Sequence, residues 1–278
     1  MTCLMEDNAM RDYEKIVMEH YNQVASEDGD SALSTMKDQY VRSKETEAII
    51  DAIQTYTNDI NREDIDILDV GCGNGYTLSE IRKRSGTYKL EGLEKNDSLR
   101  AIATDRFKDT EIDIYKGDIL DNLVEQICHK DVVISQRVVI NLLNKQDQEK
   151  AIKNISNLVK VGGMLIMLEC MNSSLAKRNE GRAEFGFSPI KPSFHNLYLE
   201  EDMLPDTSDM FERYCVGRIK PENFLSSHYY VGRVLHDIVL SSRPFVRTSH
   251  FLDFMTQSIP EGIGNYSPIK FYVFKGKR

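Results

Sequence analysis

The stretch ILDVGCGNGY, residues 67–76, decides how the rest of the chain is interpreted. An apolar run containing Asp69 leads into a loop with glycines at alternate positions, Gly71, Gly73 and Gly75. Glycine adopts backbone conformations that are closed to other residues, and it lets a ligand approach the main chain closely. The stretch therefore predicts a buried strand followed by a ligand-binding loop. It leaves open a nucleotide-type cofactor cradle, a phosphate loop and a plain structural turn.

Strand-like and helix-like stretches alternate from this point over residues 65–169. The predicted strands are IDILDV, YKLEGLE, EIDIY, DVVIS and MLIMLE, and the predicted helices are YTLSEIRKRS, DSLRAIATDRF and DQEKAIKNISNLVK. Short apolar strands that alternate with helices are typical of a parallel sheet with both faces covered. We therefore predict a Rossmann-like, doubly wound α/β fold with a ligand crevice at the carboxyl ends of its strands.

The flanking segments predict further regions around this core. Apolar residues fall at helical spacing between Tyr13 and Tyr56, with a break at SEDGDSALS, which predicts two or three leading helices. Beyond Cys170 the alternation stops, and we expect an insertion that lies over the crevice as a lid. A helix and the strand IKFYVFKGK near the end then complete the core. The predicted divisions are an N-terminal helical cap (residues 1–60), a cofactor-binding core (61–170), a lid or substrate insertion (171–228) and a C-terminal helix and strand that complete the core (229–278).

The composition narrows the class of protein and of partner. With 41% hydrophobic and 28% charged residues among 278, the chain is typical of a globular protein that can bury one large core. No apolar run approaches the roughly 18 residues of a membrane-spanning helix, so no membrane insertion is predicted. The net charge of −9 disfavours partners held by a phosphate backbone or by anionic lipid.

The cysteines and the amino terminus predict the compartment. The cysteines are scattered and form no CxxC pair, so neither a disulfide framework nor a zinc site is indicated, and no metal is predicted. They are Cys3, Cys72, Cys128, Cys170 and Cys215. The opening MTCLMEDNAM lacks a basic leader followed by an apolar stretch, so no export signal is predicted. We expect a reducing, cytoplasmic location.

The residues around the glycines weaken two interpretations of the loop. A dinucleotide-binding fingerprint places a small residue at the position of Tyr76, and a phosphate loop contains Gly-Lys-Ser/Thr, which is absent. A nicotinamide oxidoreductase is disfavoured on the same ground. The loop instead resembles motif I of the class I S-adenosylmethionine-dependent methyltransferases, and the resemblance extends over residues 65–169. It implies S-adenosylmethionine as cofactor and S-adenosylhomocysteine as product.

The resemblance also implies which residues contact the cofactor. Its glycine loop packs against the methionine part, and Asp69 supplies an acid near the ammonium group. Glu94, 19 residues after Gly75, stands at the spacing of a ribose-binding acid on this topology. In KGDIL, Asp118 faces the adenine amine and the Ile119 backbone lies beside the ring. The implied cofactor-binding residues are Asp69, Gly71, Gly73, Gly75, Glu94, Asp118 and Ile119, with Gln136 and Arg42 as described next.

The exit of the fourth strand and the leading helices add two contacts. In the methyltransferases that the chain resembles, residues at the position of SQRVVINL line the methyl-transfer channel. Gln136 is expected to contact the cofactor or the substrate there. Arg137 either makes such a contact too or forms an ion pair at the surface. Arg42 has a guanidinium that can bind the methionine carboxylate in a bidentate way. Pairing of Arg42 with Glu45 or Asp38 on the helix surface is an equal alternative.

A hydroxyl acceptor favours a general base with a pKa near neutrality, which directs attention to histidine. His195 and Tyr198 are therefore the predicted catalytic residues, because both lie in the segment expected over the crevice. His228 is a weaker candidate of the same kind. The structural alternative is a histidine whose hydrogen bonds are made within a lid of aromatic side chains. Tyrosines at helical spacing often belong to the hydrophobic core. The same two alternatives, a place in the pocket wall or in the hydrophobic core, apply to Tyr229, Tyr230 and Arg233.

The predicted function is S-adenosylmethionine-dependent methylation of a small molecule or glycan, mainly at oxygen. The Asn/Asp-Pro-Pro-Tyr motif of enzymes that methylate base amines is absent after the fourth strand, where SQRV stands. FHNLYLEED and ENFLSSHYYVGRVL resemble stretches of bacterial methyltransferases associated with surface polysaccharides, which implies a sugar hydroxyl or a phosphate-linked cap. An RNA or protein methyltransferase and a non-catalytic cofactor-binding protein of the same fold remain alternatives, and oligomerisation stays open.

Overall fold

The computed structural model describes residues 12–123, 127–217, 220–240 and 249–277. Cys3 and the start of the predicted helical cap lie outside these residues. The described strands form a seven-stranded sheet in the order β3-β2-β1-β4-β5-β7-β6. They are β1 (Asp66–Val70), β2 (Lys89–Glu94), β3 (Asp113–Lys116), β4 (Lys130–Gln136), β5 (Val159–Cys170), β6 (Phe211–Arg213) and β7 (Ile269–Gly276).

Helices precede the sheet, connect its strands and follow it. They are α1 (Asp12–Asp28), α2 (Gln39–Ile60), α3 (Tyr76–Arg84), α4 (Asp97–Phe107), α5 (Lys145–Ser156), α6 (Asn172–Ala183), α7 (Ser226–Tyr230), α8 (His236–Val239) and α9 (His250–Ser258). A π-helical turn joins α7 to α8, so the helical spacing predicted for this region is observed with one irregular turn. Among the described residues, no helix combines the length and the apolar character needed to cross a bilayer.

The sheet topology confirms the predicted doubly wound fold. The strands β3, β2, β1, β4 and β5 run parallel, whereas β7 pairs antiparallel with both β5 and β6. The chain builds outward from β1 to β3 and then crosses back to β4 on the other side of β1. A crevice forms where the strand order reverses in this way, at the carboxyl ends of β1 and β4. The ligand crevice was predicted at these strand ends.

Local sequence explains where several elements begin and end. Asp38 caps α2 by accepting a hydrogen bond from the Val41 amide at 3.2 Å, and Asn96 caps α4 by accepting from the Leu99 amide at 2.9 Å. A side-chain oxygen at this position satisfies an amide that has no partner within the helix. The apolar strands bury nearly all of their side chains, as expected for a sheet covered on both faces.

Two boundaries differ from the sequence-based expectation. The predicted helix DQEKAIKNISNLVK runs too far, because α5 ends at Ser156 and β5 begins at Val159. Leu158 and Val159 are buried at helical spacing from Ile155, which hides the change of element from a periodicity argument. The predicted lid, residues 171–228, also contains β6, which pairs with β7 at the edge of the sheet. Three residues are too few to give a recognisable strand pattern.

Candidate functional site

A cleft lies at the carboxyl ends of β1, β2 and β4. Its floor contains six of the predicted cofactor contacts, Gly71, Gly73, Glu94, Asp118, Ile119 and Gln136. Its other side is formed by one face of α1, with Tyr13, Glu14, Val17, Met18 and Tyr21. Asp69, Gly75 and Arg42 are placed behind this lining rather than in it.

The glycine loop needs its glycines for two different reasons. Gly71 has φ of 68°, and a Cβ atom there would lie 2.5 Å from Cγ2 of Val138, so the position has neither the conformation nor the space for a side chain. Gly73 has φ of 58°, but its nearest neighbour to a Cβ atom would be Cγ2 of Thr35 at 3.6 Å. The backbone at Gly73 is therefore accessible from the cleft, as a loop that contacts a ligand requires.

Glu94 ties the glycine loop to the end of β2. One carboxylate oxygen accepts a hydrogen bond from the Gly73 amide at 2.8 Å, and the other accepts from the Asn96 amide at 2.7 Å. Burial raises the pKa of Glu94, while the Asn96 and Gly73 amides act in the opposite direction. Each carboxylate oxygen can accept a second hydrogen bond. Glu94 therefore fixes the loop and can still accept from ligand hydroxyls.

Asp69 is a buried acid behind the glycine loop, at 2% exposure. Burial raises its pKa to about 7, and the nearby Arg42 acts against this rise. Within the described part of the chain, no hydrogen bond to its carboxylate is found. A buried carboxylate without a donor is costly, so a cationic or hydrogen-bonding ligand group would stabilise its charged form.

Asp118 stands at the third strand end and lines the cleft together with Ile119. One oxygen of Asp118 accepts from Nζ of Lys95 at 2.6 Å, and the other accepts from the Leu120 amide at 2.9 Å. The same Lys95 ammonium donates to Glu14 of α1 at 2.9 Å. The carboxylate is thus held in a fixed orientation at the edge of the cleft, where it can accept a further hydrogen bond from a ligand amine.

Gln136 and Arg137 form the exit of β4. The Gln136 amide is oriented by donation to Glu45 at 2.9 Å and acceptance from the Thr77 hydroxyl at 2.9 Å. Arg137 has φ of 57°, which is unfavourable for a residue with a side chain. Its Nε lies 3.2 Å from the Glu45 carboxylate and its Nη1 donates to the Thr35 carbonyl at 3.0 Å. Strained residues of this kind cluster at functional sites.

Arg42 is buried near Asp69 and does not reach the cleft lining. Its Nε donates to the Ala32 carbonyl at 3.0 Å, and its guanidinium lies 4.7 Å from the ring centroid of Tyr76. Burial, followed by repulsion from Arg137, lowers the pKa of Arg42 to about 10. The predicted surface pairing with Asp38 or Glu45 is not what orients it, because its hydrogen bonds are made to the loop before α2.

The helix α1 lies across the cleft and is tied to the sheet side by polar contacts. The Tyr21 hydroxyl donates to the Asn141 side chain at 3.0 Å, and the Asn22 side chain accepts from Asn96 at 2.8 Å. The bond between Lys95 and Glu14 adds a charged contact across the opening. A ligand in the cleft is therefore covered by α1.

The predicted catalytic pair lies on one segment beside the cleft. The His195 ring stacks on the His20 ring with centroids 3.8 Å apart and lies 6.3 Å from the ring of Tyr21, which lines the cleft. Burial lowers the pKa of His195 to about 4, so the imidazole is neutral near pH 7. Burial raises the pKa of Tyr198, so its hydroxyl stays protonated. The structure places both residues near the β4 and β5 exits, and neither lines the cleft itself.

His228, the weaker candidate, is part of a buried contact between α7 and α2. Its Nε2 lies 2.9 Å from the Asp38 carboxylate, and its ring stacks on Tyr40 with centroids 4.6 Å apart. Its Nδ1 lies 3.3 Å from the Thr256 hydroxyl. Because both ring nitrogens have protein partners, the structural interpretation fits His228 better than a substrate-facing role.

Sequence reasoning missed the acid that organises the β4 exit. Glu169, at 0% exposure near the end of β5, accepts from the Ser135 hydroxyl and the Val138 amide at 3.0 Å each. It also accepts from the amides of Val139 and Ile140. Burial raises the pKa of Glu169 to about 7. The available signal is an acid at the end of the apolar run MLIMLE, a run that its pattern identifies only as a strand.

Metal chemistry has no evident site in the parts of the chain described. No group of three or more histidine, cysteine or acidic side chains is arranged to hold a metal ion in residues 12–123, 127–217, 220–240 and 249–277.

Comparison with known proteins relates this site to an enzyme family. Residues 67–163 match the family described as a methyltransferase domain. The uncharacterized methyltransferase YdaC of Bacillus subtilis is 33% identical over 144 residues, which cover 48% of this chain and 77% of that protein.

Two solved structures share the fold along nearly the whole chain. The N-methyltransferase NodS of Bradyrhizobium japonicum, in complex with S-adenosylhomocysteine, aligns with a TM-score of 0.57 at 11% identity, over 94% of this chain and 99% of that one. The magnesium protoporphyrin IX methyltransferase ChlM of Synechocystis, also with bound S-adenosylhomocysteine, aligns with a TM-score of 0.58 at 9% identity, over 94% and 99%.

Proposed function

The chain is a member of the class I S-adenosylmethionine-dependent methyltransferases, and we propose that it methylates a hydroxyl group of a small molecule or glycan. The observation that carries the proposal is the common position of the predicted contacts in one cleft, beside a neutral histidine. When bound, S-adenosylmethionine supplies an electrophilic methyl group on a positively charged sulfur.

The residues around the cleft fit this cofactor. Asp69 is a buried carboxylate for which the described residues provide no donor, and an ammonium group would supply one. Glu94 retains acceptor capacity for sugar hydroxyls, and Asp118 retains it for an amine at the outer edge. We assign these three acids to the ammonium, the ribose and the adenine amine respectively, and the Gly73 backbone lines the cleft with Glu94 and Asp118.

The acceptor end of the cleft is proposed to lie at the β4 exit. Arg137 and Gln136 are held there by Glu45, and α1 covers the opening. Methyl transfer depends chiefly on aligning the acceptor with the reacting carbon, which a rigid exit and a covering helix promote. Covering the cleft also excludes water, which would otherwise compete with the acceptor.

His195 is the proposed general base for a hydroxyl acceptor. Burial keeps the ring neutral at physiological pH, so a nitrogen lone pair is available for the hydroxyl proton, while a pKa of about 4 makes this imidazole a weaker base than one that titrates near neutrality. Nδ1 of His195 is buried and has no hydrogen-bond partner in the described structure. Tyr198, whose phenol stays protonated, is proposed to donate a hydrogen bond to the acceptor rather than to remove a proton.

Labelled methyl transfer tests the acceptor class. Purified protein is incubated with methyl-labelled S-adenosylmethionine and one of two size-matched pools of acceptors. One pool contains sugars, polyols and phenols, and the other contains amines. We expect label in the hydroxyl pools, as an ether that mass spectrometry identifies. Label found only in amines, or only in added RNA or protein, would contradict the proposal.

A pair of histidine variants tests the base. We expect His195→Gln to lower kcat by about 100-fold or more, the usual contribution of a general base, with unchanged affinity for S-adenosylhomocysteine. His129→Gln is the matched control, since His129 is exposed and belongs to a separate groove on the surface. Retention of full kcat by His195→Gln would remove it from the mechanism.

A further inference from the structure

Arg178 on α6 is a buried cation that has no hydrogen-bond or ion-pair partner among the described residues. It is 3% exposed, and its Nε is buried without a hydrogen bond. No hydrogen bond or ion pair of its guanidinium is found anywhere in the described residues. Its guanidinium carbon lies 5.7 Å from the ring centroid of Tyr229. Burying an arginine in this way costs free energy that packing alone does not recover.

The neighbouring arginine on the same helix face shows that packing does not require an unpaired cation. Arg182, one turn further along α6, donates to Asp237 at 2.8 Å and to the Ser188 carbonyl at 3.0 Å. It also donates to the backbone carbonyl of Arg233. Arg182 therefore fastens α6 to the helices that follow, and Arg178 has no comparable structural task.

The surroundings of Arg178 are suited to an anion. The groups that act most strongly on its charge are Tyr229, Tyr198 and Cys170, and none of the leading contributors is a carboxylate. Burial raises the pKa of both tyrosines, so their hydroxyls stay protonated, and the Tyr198 hydroxyl has the Cys170 side chain as its hydrogen-bond partner. The Arg178 guanidinium is therefore a buried donor without an acceptor among the described residues.

This site adjoins the acceptor end of the cleft. The end of β5 at Cys170 lies beside the β4 exit, because the amide of the cleft residue Arg137 donates to the Leu168 carbonyl at 2.7 Å. Tyr198 is held at the same place, because the Leu199 amide donates to the Cys170 carbonyl at 2.8 Å. His195 and Tyr198 are three residues apart and so at most roughly 10 Å from each other along the chain.

We propose that Arg178 binds a carboxylate of the methyl acceptor, so that the substrate is a small hydroxy acid such as a sugar acid or an aromatic acid. This inference rests on the proposed function and adds the substrate class to it. The planar guanidinium matches a carboxylate in a bidentate way. A single unpaired cation neutralises the one charge of a carboxylate, whereas a phosphate monoester carries nearly two. The acceptor hydroxyl then points toward His195 and the cleft.

Paired probes test the proposal on the protein saturated with S-adenosylhomocysteine. Benzoate and glucuronate are titrated against their neutral matches, benzamide and glucuronamide, by calorimetry and thermal shift. We expect at least one acid to bind tenfold or more tightly than its amide. Equal binding of acid and amide in both pairs would overturn the proposal, as would tighter binding of inorganic phosphate than of either acid.

Substitutions at the two arginines separate ligand binding from folding. We expect Arg178→Met to keep or raise the thermal midpoint and to leave S-adenosylhomocysteine affinity within twofold, while the preference for acid over amide disappears. Arg182→Met, the control, is expected to lower the midpoint, because it leaves Asp237 and two carbonyls without their donor. An undiminished preference in Arg178→Met would refute the assignment.

Two further results keep the outcomes distinct. Arg178→Lys retains the charge without the bidentate geometry and should keep a reduced preference for the acid. If Arg178→Met fails to fold, Arg178→Lys becomes the deciding variant. Complete loss of its preference for acid over amide, with an unchanged thermal midpoint, still supports the role of the guanidinium. Methyl transfer to an amine that carries a carboxylate would overturn the proposed hydroxyl acceptor and leave the role of Arg178 standing.

Discussion

Replacing Glu94 with glutamine should weaken cofactor binding far more than it weakens the fold. Each oxygen of this carboxylate accepts one backbone amide, from Gly73 at 2.8 Å and Asn96 at 2.7 Å. Glutamine keeps one acceptor and turns an NH₂ group toward the other amide, so one charge-assisted hydrogen bond, worth about 1.5–3 kcal/mol, is lost. Relief from burying the charge, which raises the pKa of Glu94, offsets part of this loss.

The effect on the cofactor has no such offset. A neutral amide forms a weaker bond to a ribose hydroxyl than a carboxylate does, and the Gly73 backbone that faces the cleft loses its anchor. A loss of about 1.5–3 kcal/mol in binding corresponds to roughly a 10- to 100-fold rise in Kd. Calorimetric titration with S-adenosylhomocysteine measures this directly, and urea unfolding measures the stability.

Asp131→Asn is the matched control for this experiment. Asp131 is also a buried acid, but it lies at the opposite end of the sheet, where it pairs with Lys160 at 2.9 Å and with Arg62 at 2.6 Å. We expect this variant to lose stability while its affinity for S-adenosylhomocysteine stays within twofold of wild type. A wild-type Kd in Glu94→Gln, or equal losses of affinity in both variants, would refute the assignment of Glu94 to the cofactor.

Three other substitutions test separate parts of the site. The pKa of Asp69 in the folded protein is raised to about 7, so its contribution to stability is complete below pH 4 and is lost as the pH rises through about 7. Urea titrations between these pH values should show that Asp69→Asn abolishes the decline in unfolding free energy. The same decline in the variant and the wild type would contradict this expectation. Gly71→Ala should cost about 1–3 kcal/mol more than Gly162→Ala in urea unfolding, because both have positive φ but only Gly71 would clash with Val138. Glu169→Ala should lower the unfolding free energy by about 3 kcal/mol or more, since several buried amides lose their acceptor; calorimetry showing a loss under 1 kcal/mol would contradict this.

The parts of the fold that could be predicted are those encoded by neighbouring residues. The glycine loop and the apolar strands each carry their signal within about ten positions, so the sheet and the helices of residues 65–169 follow from the sequence. The resemblance to the methyltransferases implied the roles of Glu94 and Asp118, and the topology predicts that these strand ends meet at one edge of the sheet. Their position in the cleft lining agrees with that reasoning.

The parts that escaped prediction depend on residues far apart in the chain. Glu169 acquires its importance from amides about thirty positions earlier, and periodicity identifies it only as the end of a strand. Arg178 is notable because a partner is missing, and a missing partner leaves no mark in a sequence. The course of α1 across the cleft could not be derived either, because Glu14 finds Lys95 some eighty residues later.

The bridging position of α1 has a consequence for the pace of the reaction cycle. A nucleoside enclosed beneath this helix cannot depart until the bonds of Tyr21 to Asn141 and of Glu14 to Lys95 have separated. These bonds are few and polar, so moving α1 away from the cleft costs little free energy, and the ion pair between Glu14 and Lys95 weakens as ionic strength rises. Higher ionic strength should therefore speed the departure of the spent cofactor.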